Sequence, residues 1–297
     1  MPRVSVLIPA FNSAQWIGSA IDSALAQSYR DFEVIVIDDG SIDRTPDVIA
    51  SYGNHIRCLY QANAGVSNAR NQGLRVSTGE LIAYMDADDA WYPQKLKCQI
   101  EFLDGHPQCG LVHSDVAVID EHGKIIYSRF NQETARPVPS GYCRQALLQR
   151  CHIQLPSVVE RRKCIEEAGG FDERLMALED YLHWITVSLK GWAFGYVNEP
   201  LAKYRWRRGS VSSDKRLFLN EYEQIYGALL PELYEAPIGQ EESAIIGKRL
   251  MAVERELAYM DRVDGHRRCA RQRLIRLIHR CPRQYNLYWD VVKTFLR

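Results

Sequence analysis

Residues 81–89 read LIAYMDADD. A strand-like apolar run stops abruptly at three carboxylates within four positions, Asp86, Asp88 and Asp89. Carboxylates packed that closely repel one another, so the cluster needs a counter-charge. Whether it is a solvated acidic turn or the wall of a binding site depends on what surrounds it.

Upstream, strand and helix signals alternate. VSVLIPA (4–10) is a β-rich run stopped by Pro9, and from Ser13 the residues Trp16, Ile17, Ala20, Ile21, Ala24 and Leu25 follow a helical period. FEVIVIDDG (32–40) is nearly all apolar before its acidic end, the pattern of a strand buried on both faces. Thr45 followed by Pro46 suits a helix N-cap and first turn. HIRCLY (55–60) reads as a third strand, GVSNARNQGLRVSTG (65–79) as a helix ending near Gly79, and LIAYMD as a fourth strand. This alternation implies right-handed βαβ units and a mostly parallel sheet. Ligands of such sheets sit outside the carboxyl ends of the strands. Asp38 and Asp39 close the second strand and Asp86 to Asp89 the fourth, so both acidic clusters should open into one crevice.

Downstream, an amphipathic helix carries Leu96, Ile100 and Leu103, residues 110–130 read as a hairpin around EHG, and 141–214 mix short helices and strands. A helix over Asp180–Lys190 is closed by Gly191. From Lys215 the pattern is helical to the end. The expected organisation is one domain over 1–214, with halves 1–105 and 106–214, and a helical region over 215–297.

The composition of the 297 residues, 46% hydrophobic and 25% charged, provides ample material for a core. Formal net charge is zero, which gives no electrostatic case for nucleic acid. The eight cysteines form no C-x-x-C pair and no zinc spacing, and read as reduced residues of a cytoplasmic protein. No window approaches the roughly 20 apolar residues that span a bilayer.

Asp86 and Asp88, spaced i, i+2 in a turn, could reach one hard cation such as Mn²⁺ or Mg²⁺. In VIDDGSIDRT (36–45), Asp39 suits either turn chemistry or a hydrogen bond from a nucleobase, with Gly40 holding the backbone. NAGVSNARNQGL (63–74) places Arg70 near a helix N-terminus, a combination that suits a diphosphate.

In order, these segments run strand–PAFN, strand–DDGS-x-D-x-T, N-x-G-x-x-x-A-R-N-x-G, and strand–DADD. The chain resembles family 2 glycosyltransferases, inverting enzymes of GT-A fold, over about Val4 to Ser213. The resemblance implies a Rossmann-like nucleotide-sugar-binding half, an acceptor half and a C-terminal helical appendage. By it, Pro9, Ala10, Asn12 and Asn63 would line the nucleotide pocket and Asp39 would contact the base. Arg70 would lie near the pyrophosphate or base, and Ala87 would belong to the same nucleotide-sugar site. Asp86 would hold the ribose or a second metal bond, Asp88 would ligate Mn²⁺ or Mg²⁺, and Asp89 would orient the turn. The cation would bridge the phosphates of the leaving group. Without donor, that site should hold metal only weakly.

An inverting transfer also needs a base on the sugar face opposite the diphosphate. MALEDYLHWITVSLKG (176–191) resembles the family's E-D motif, with Asp180 the expected base and Glu179 its partner or substitute. YRWRRGSVSS (204–213) resembles the segment that closes over the diphosphate. Strand geometry would put Arg205 and Arg207 on one face, and Arg207 or Arg208, with Ser212, are the expected phosphate contacts. Where the family often has histidine here, this sequence has arginine. His152, Trp91 and Trp184 stand as acceptor-side residues or as packing.

Eight arginines between Asp261 and Arg283, with Trp289 and Phe295 following, suit either an anionic membrane surface, a helix docked on the catalytic domain or a dimer contact. The expected partners are thus a nucleoside-diphosphate sugar, UDP by family frequency, and a glycan or lipid-linked saccharide acceptor of the bacterial surface. The rival readings are a sugar nucleotidyltransferase, which LIPAFNSAQ (7–15) disfavours because it has no glycine, and a non-catalytic nucleotide-sugar-binding module.

Overall fold

The computed structural model describes residues 1–150, 153–207, 209–234, 238–280, 282 and 284–295, apart from the side chains of Ser212 and Tyr285. The chain divides into two compact units, Met1–Arg208 and Gly209–Arg297.

The first unit is a mixed α/β structure built on one nine-stranded sheet. Its centre is β1 (Val4–Ala10), every residue of which is buried. β1 pairs in parallel with β2 (Phe32–Asp38) on one side and β4 (Leu81–Tyr84) on the other, and β2 pairs in parallel with β3 (Arg57–Tyr60). Helices α1 (Ile17–Leu25), α2 (Thr45–Ala50) and α3 (Val66–Val76) make the crossovers. The apolar run Val34–Ile37 of β2 is thereby explained: both its faces are covered. α3 packs very closely on the sheet because Gly73 has no side chain; a Cβ there would lie 2.8 Å from Ile37 Cδ1 and 3.2 Å from Leu7 Cδ2. That contact brings Arg70, one turn earlier, over the strand ends.

Beyond β4 the parallel pattern gives way. β5 (Ala90–Trp91) and α4 (Lys95–Gly105) lead to the long β6 (Cys109–Ile119), then to β7 (Ile125–Tyr127), α5 (Phe130–Glu133) and α6 (Arg144–Gln149). β8 (Val159–Arg161) is followed by α7 (Arg162–Ala168), α8 (Glu179–Leu189) and β9 (Ala193–Arg205). The strand order is β3-β2-β1-β4-β8-β6-β9-β5, with β7 paired to β6. β8 runs antiparallel to both β4 and β6, whereas β6 and β9 are parallel. The expected hairpin around EHG is the β6–β7 pair. Thr45 does not cap α2: Arg44 holds the N-cap position, and the Thr45 hydroxyl accepts a hydrogen bond from the Ser13 amide at 2.7 Å.

The second unit holds α9 (Lys215–Gln224), a π-helical turn over Ile225–Leu229, α10 (Leu230–Leu233), α11 (Gln240–Val263), α12 (Arg267–Arg280) and α13 (Tyr285–Lys293). Ala258, Leu274, Leu277 and Leu287 form a small core there. Part of its basic charge is used internally, because Arg273 pairs with Glu223 and Asp261, and Arg280 with Glu254. Among the described residues no helix is long and apolar enough to cross a membrane.

Candidate active site

Since β1 lies between β2 and β4, the two acidic strand ends are neighbours on one edge of the sheet. At the end of β2, Asp39 is buried and donates its amide to Ala10 O at 2.8 Å. Its carboxylate accepts from Gln61 Nε2 at 2.7 Å and from the Ala64 and Gly65 amides, both at 2.8 Å. Asp38 accepts from the Ser41 amide at 3.0 Å. Gly40 makes this closeness attainable: its φ is +76°, and a Cβ there would stand 2.7 Å from Asn63 N. Asn12, in the left-handed region at φ 47°, ties the first loop to the second. Its Oδ1 accepts from the Ile42 amide and its own amide donates to Ser41 Oγ, both at 2.9 Å. Pro9 and Ala10 are buried at the end of β1, and Asn63 is exposed on the loop before α3.

At the end of β4 the acids meet arginines instead. Asp86 accepts from Arg70 Nη2 at 2.7 Å, and Arg70 Nη1 donates to Glu179. The Arg70 guanidinium is only 3% exposed and sits 5.5 Å over the Phe171 ring. Asp88 accepts from Arg207 Nε at 2.7 Å, and Arg207 lies 4.9 Å over the Trp16 ring. Asp89 is buried, accepts from the Arg205 amide at 2.8 Å, and leaves Oδ2 unpartnered. Burial first, then Asp88 and Asp86, push its carboxyl well above the usual range. Ala87 is buried between the two arginine-paired acids.

The third part is the first turn of α8. Glu179 is buried, bonded to Arg70 through Oε1, and without a partner at Oε2. Asp180 is half-buried beside it. Burial, then the Glu179 charge, push its carboxyl up to about 8, against the opposing pull of Arg70. The helix N-terminus alone would lower that value; the site overrides it. One turn on, His183 faces Glu160 Oε1 at 3.0 Å with Nε2 and Gly170 O at 2.9 Å with Nδ1. Gly170 O only accepts, so Nδ1 donates, and the Glu160 carboxylate at Nε2 favours the charged imidazole. Burial opposes that charge, but Glu160 outweighs it and the pKa is raised. Tyr84 donates to the second oxygen of Glu160 at 2.7 Å, which anchors α8 to β4 and β8.

Asp86, Asp88, Arg70, Glu179, Asp180 and Arg207 thus form one cluster, with Asn12, Asp39 and Asn63 on the loops at the same sheet edge. Ser212 lies in the second unit, in the short turn Val211–Ser213. Arg208 and His152 fall outside the described residues. The expectation for Arg205 and Arg207 is corrected: β9 ends at Arg205, so the two share no strand face. The Arg205 guanidinium turns inward, bonding Asp88 O at 2.7 Å and Asp120 O at 2.9 Å, and of the two side chains it is that of Arg207 that reaches a carboxylate of the site. Trp184 is fully buried, and Trp91 is buried with Nε1 bonded to Pro156 O at 2.9 Å, so both are packing. Phe171, Trp16, Glu160 and His183 were not singled out from sequence. Only the position of His183 one turn after E-D hinted at a role.

Asp86 and Asp88 are the candidate cation ligands. Among the described residues no group of three or more His, Cys, Asp or Glu could hold a metal. Two half-buried carboxylates, each engaged by one arginine through one oxygen, fit a Mg²⁺ or Mn²⁺ ion that takes its other ligands from phosphates and water.

The family model described as Glycosyl transferase family 2 matches residues 5–153. An uncharacterized glycosyltransferase of Rickettsia typhi is 31% identical over 238 residues, which are 78% of this chain and 73% of that protein. Escherichia coli WfaP, a UDP-Glc:alpha-D-GlcNAc-diphosphoundecaprenol beta-1,3-glucosyltransferase, is 30% identical over 72% of this chain and 82% of its own length. Among solved structures, S. aureus TarS 1–349 in complex with UDP-GlcNAc superimposes with a TM-score of 0.66, at 18% identity, over 99% of this chain and 89% of that one. That similarity shows the fold.

Proposed function

The chain belongs to glycosyl transferase family 2, and we propose that it transfers a sugar from a nucleoside-diphosphate sugar to a hydroxyl of a glycan or lipid-linked acceptor, with inversion. A UDP-sugar donor and a lipid-diphosphate-linked saccharide acceptor are favoured by WfaP, whose name states both, and TarS is a fold neighbour bound to UDP-GlcNAc. The reaction would serve synthesis of a cell-surface polysaccharide.

One observation carries this reading: Arg70 bridges Asp86, at the donor edge of the sheet, to Glu179, beside Asp180. A single buried guanidinium fixes the distance from the leaving-group side to the base. Asp180, its carboxyl raised to about 8, is basic enough to take the acceptor hydroxyl's proton and ionised in a useful fraction near neutrality. Glu179 keeps that value high and holds Arg70. Asp39 and Asn12 shape the nucleotide loops, leaving the exposed Asn63 and the strand ends to face the base and ribose. A divalent cation held by Asp88 and Asp86 would supply Lewis-acid stabilisation of the diphosphate leaving group. Arg207 would then turn to the phosphates. A second element of the proposal is peripheral contact with an anionic membrane, because α13 exposes Trp289 and Val292, Phe295 is exposed just after it, and α12 is rich in arginine.

The test is release of UDP from UDP-sugars in the presence of acceptor and Mn²⁺, compared with Asp180→Asn. Transfer should fall by about 10²–10⁴-fold while donor binding, followed by thermal shift, is retained. Transfer unchanged in Asp180→Asn would remove the base assignment.

A further inference from the structure

Apart from the donor edge, one concavity of the first unit has the makings of a ligand site. It is an open groove of about 480 Å³ whose lining includes Asn131, Gln132, Arg136, Val138, Tyr196 and Asn198 and no acidic residue. Its floor is polar and under-satisfied. Asn131 is 2% exposed, and its side-chain amide interacts with the Tyr196 hydroxyl but has no other hydrogen-bond partner. A buried amide left unmet costs about 1–3 kcal/mol, so Asn131 in the lining points to a group that enters and satisfies it.

The surrounding structure holds Asn131 rigidly. Asp115, buried on β6, accepts from the Asn131 amide at 2.8 Å and the Val116 amide at 2.8 Å, and Gln132 N lies 3.4 Å from its other oxygen. β9 bulges opposite: Val197 pairs with Ser114, and Pro200 with Asp115, so Asn198 and Glu199 loop out. Arg129 pins the bulge by donating to Asn198 O at 2.6 Å and to its Oδ1 at 3.0 Å. Above, Arg136 stacks 4.2 Å over the Phe130 ring, and its charge is opposed by burial and by nearby Arg150.

The aromatic layer continues to the donor edge. Phe130 packs at 5.4 Å against Trp206, whose amide bonds Ile119 O at the end of β6 and whose neighbour Arg207 holds Asp88. Asp115 and Ile119 are four residues apart on β6, about 13 Å at ~3.3 Å per residue. A ligand in the cavity therefore lies too far from the strand ends to offer its own hydroxyl, and is in line with a chain that does.

We propose that this cavity is a remote acceptor subsite that binds an internal saccharide unit carrying an anionic group, a carboxylate or a phosphate. An amide donor–acceptor pair suits sugar hydroxyls, Tyr196 and Val138 offer an apolar face to the ring, and Arg136 takes the anion. The inference rests on the glycosyltransferase reading for the identity of its ligand, but binding needs no turnover.

Three tetrasaccharides on one backbone test it: cellotetraose, its C6-oxidised uronate form and its C6-phosphorylated form, titrated by calorimetry and saturation-transfer NMR against the full chain. An anionic form should bind about tenfold more tightly than cellotetraose or better, with the tighter of the two naming the anion. Arg136→Met, which keeps the stack on Phe130, should erase that preference, and Asn131→Asp should weaken both anionic forms further. Equal binding of all three probes, or a preference that survives in Arg136→Met, overturns the proposal. An inactive chain that still shows the preference would instead count against the proposed reaction and leave the subsite standing.

Discussion

The acids ending β2 and the acids ending β4 stand on the same edge of one sheet, yet they are neutralised in opposite ways. Asp38 and Asp39 are met by backbone amides and Gln61 of their own loops, partners that cannot leave without unfolding those loops. Asp86 and Asp88 are met by arginine side chains from α3 and from beyond β9. An amide-capped carboxylate builds structure; a guanidinium-capped one can exchange its partner for another cation. Four measurements break or sharpen the contrast.

The largest effect belongs to Arg70, which is both bridge and buried charge. Arg70→Met leaves Glu179 in the interior without its cation and should cost about 3–5 kcal/mol, read by denaturant unfolding, because one partner of a buried pair has gone. Loss below about 1 kcal/mol would mean that Glu179 simply takes up a proton. Asp39→Ala comes next. It strands the Ala64 and Gly65 amides and should cost about 1–3 kcal/mol, with faster hydrogen exchange confined to that loop.

A smaller, pH-dependent term sits beneath α8. His183 binds its proton more tightly folded than unfolded, so its contribution is complete below about pH 6.5 and is lost as pH rises through its higher folded value. Stability of the wild type should therefore decline across that range, and a His183→Gln variant should show a flatter profile. Arg207→Ala is the smallest for stability, within about 0–1 kcal/mol for a part-exposed pair. It should nonetheless let Mn²⁺ bind the donor-free chain several-fold more tightly, as measured by electron paramagnetic resonance. Unchanged Mn²⁺ affinity would show that Arg207 does not compete for Asp88.

The first ninety residues are legible because periodicity there is local: apolar strands, a helical stripe and acids at strand ends lie in order along the chain. What neutralises those acids is not local. Arg70 meets a glutamate 109 positions away, and Arg207 an aspartate 119 positions away. No periodicity encodes such pairs. Arg205 was misplaced because alternation in YRWRRG mimics a strand that actually ends at Arg205. β8 is three residues long and wedged between β4 and β6, so its antiparallel sense depends on partners far removed in sequence. Asp39 was legible as an important residue, although its three hydrogen bonds to the 61–65 loop could not be read from turn chemistry alone.

That wedged strand has a mechanical consequence. Because β8 hydrogen-bonds to β4 on one side and β6 on the other, the first unit has no seam at which its two halves could swing apart. Those two halves cannot close on each other as jaws on a hinge. Entry and exit must be governed by short loops moving over a stiff floor, so the slow event in a catalytic cycle would be sought in the segments around Asn63 and Arg207, and hydrogen exchange within β1, β4 and β8 should stay nearly the same with and without donor.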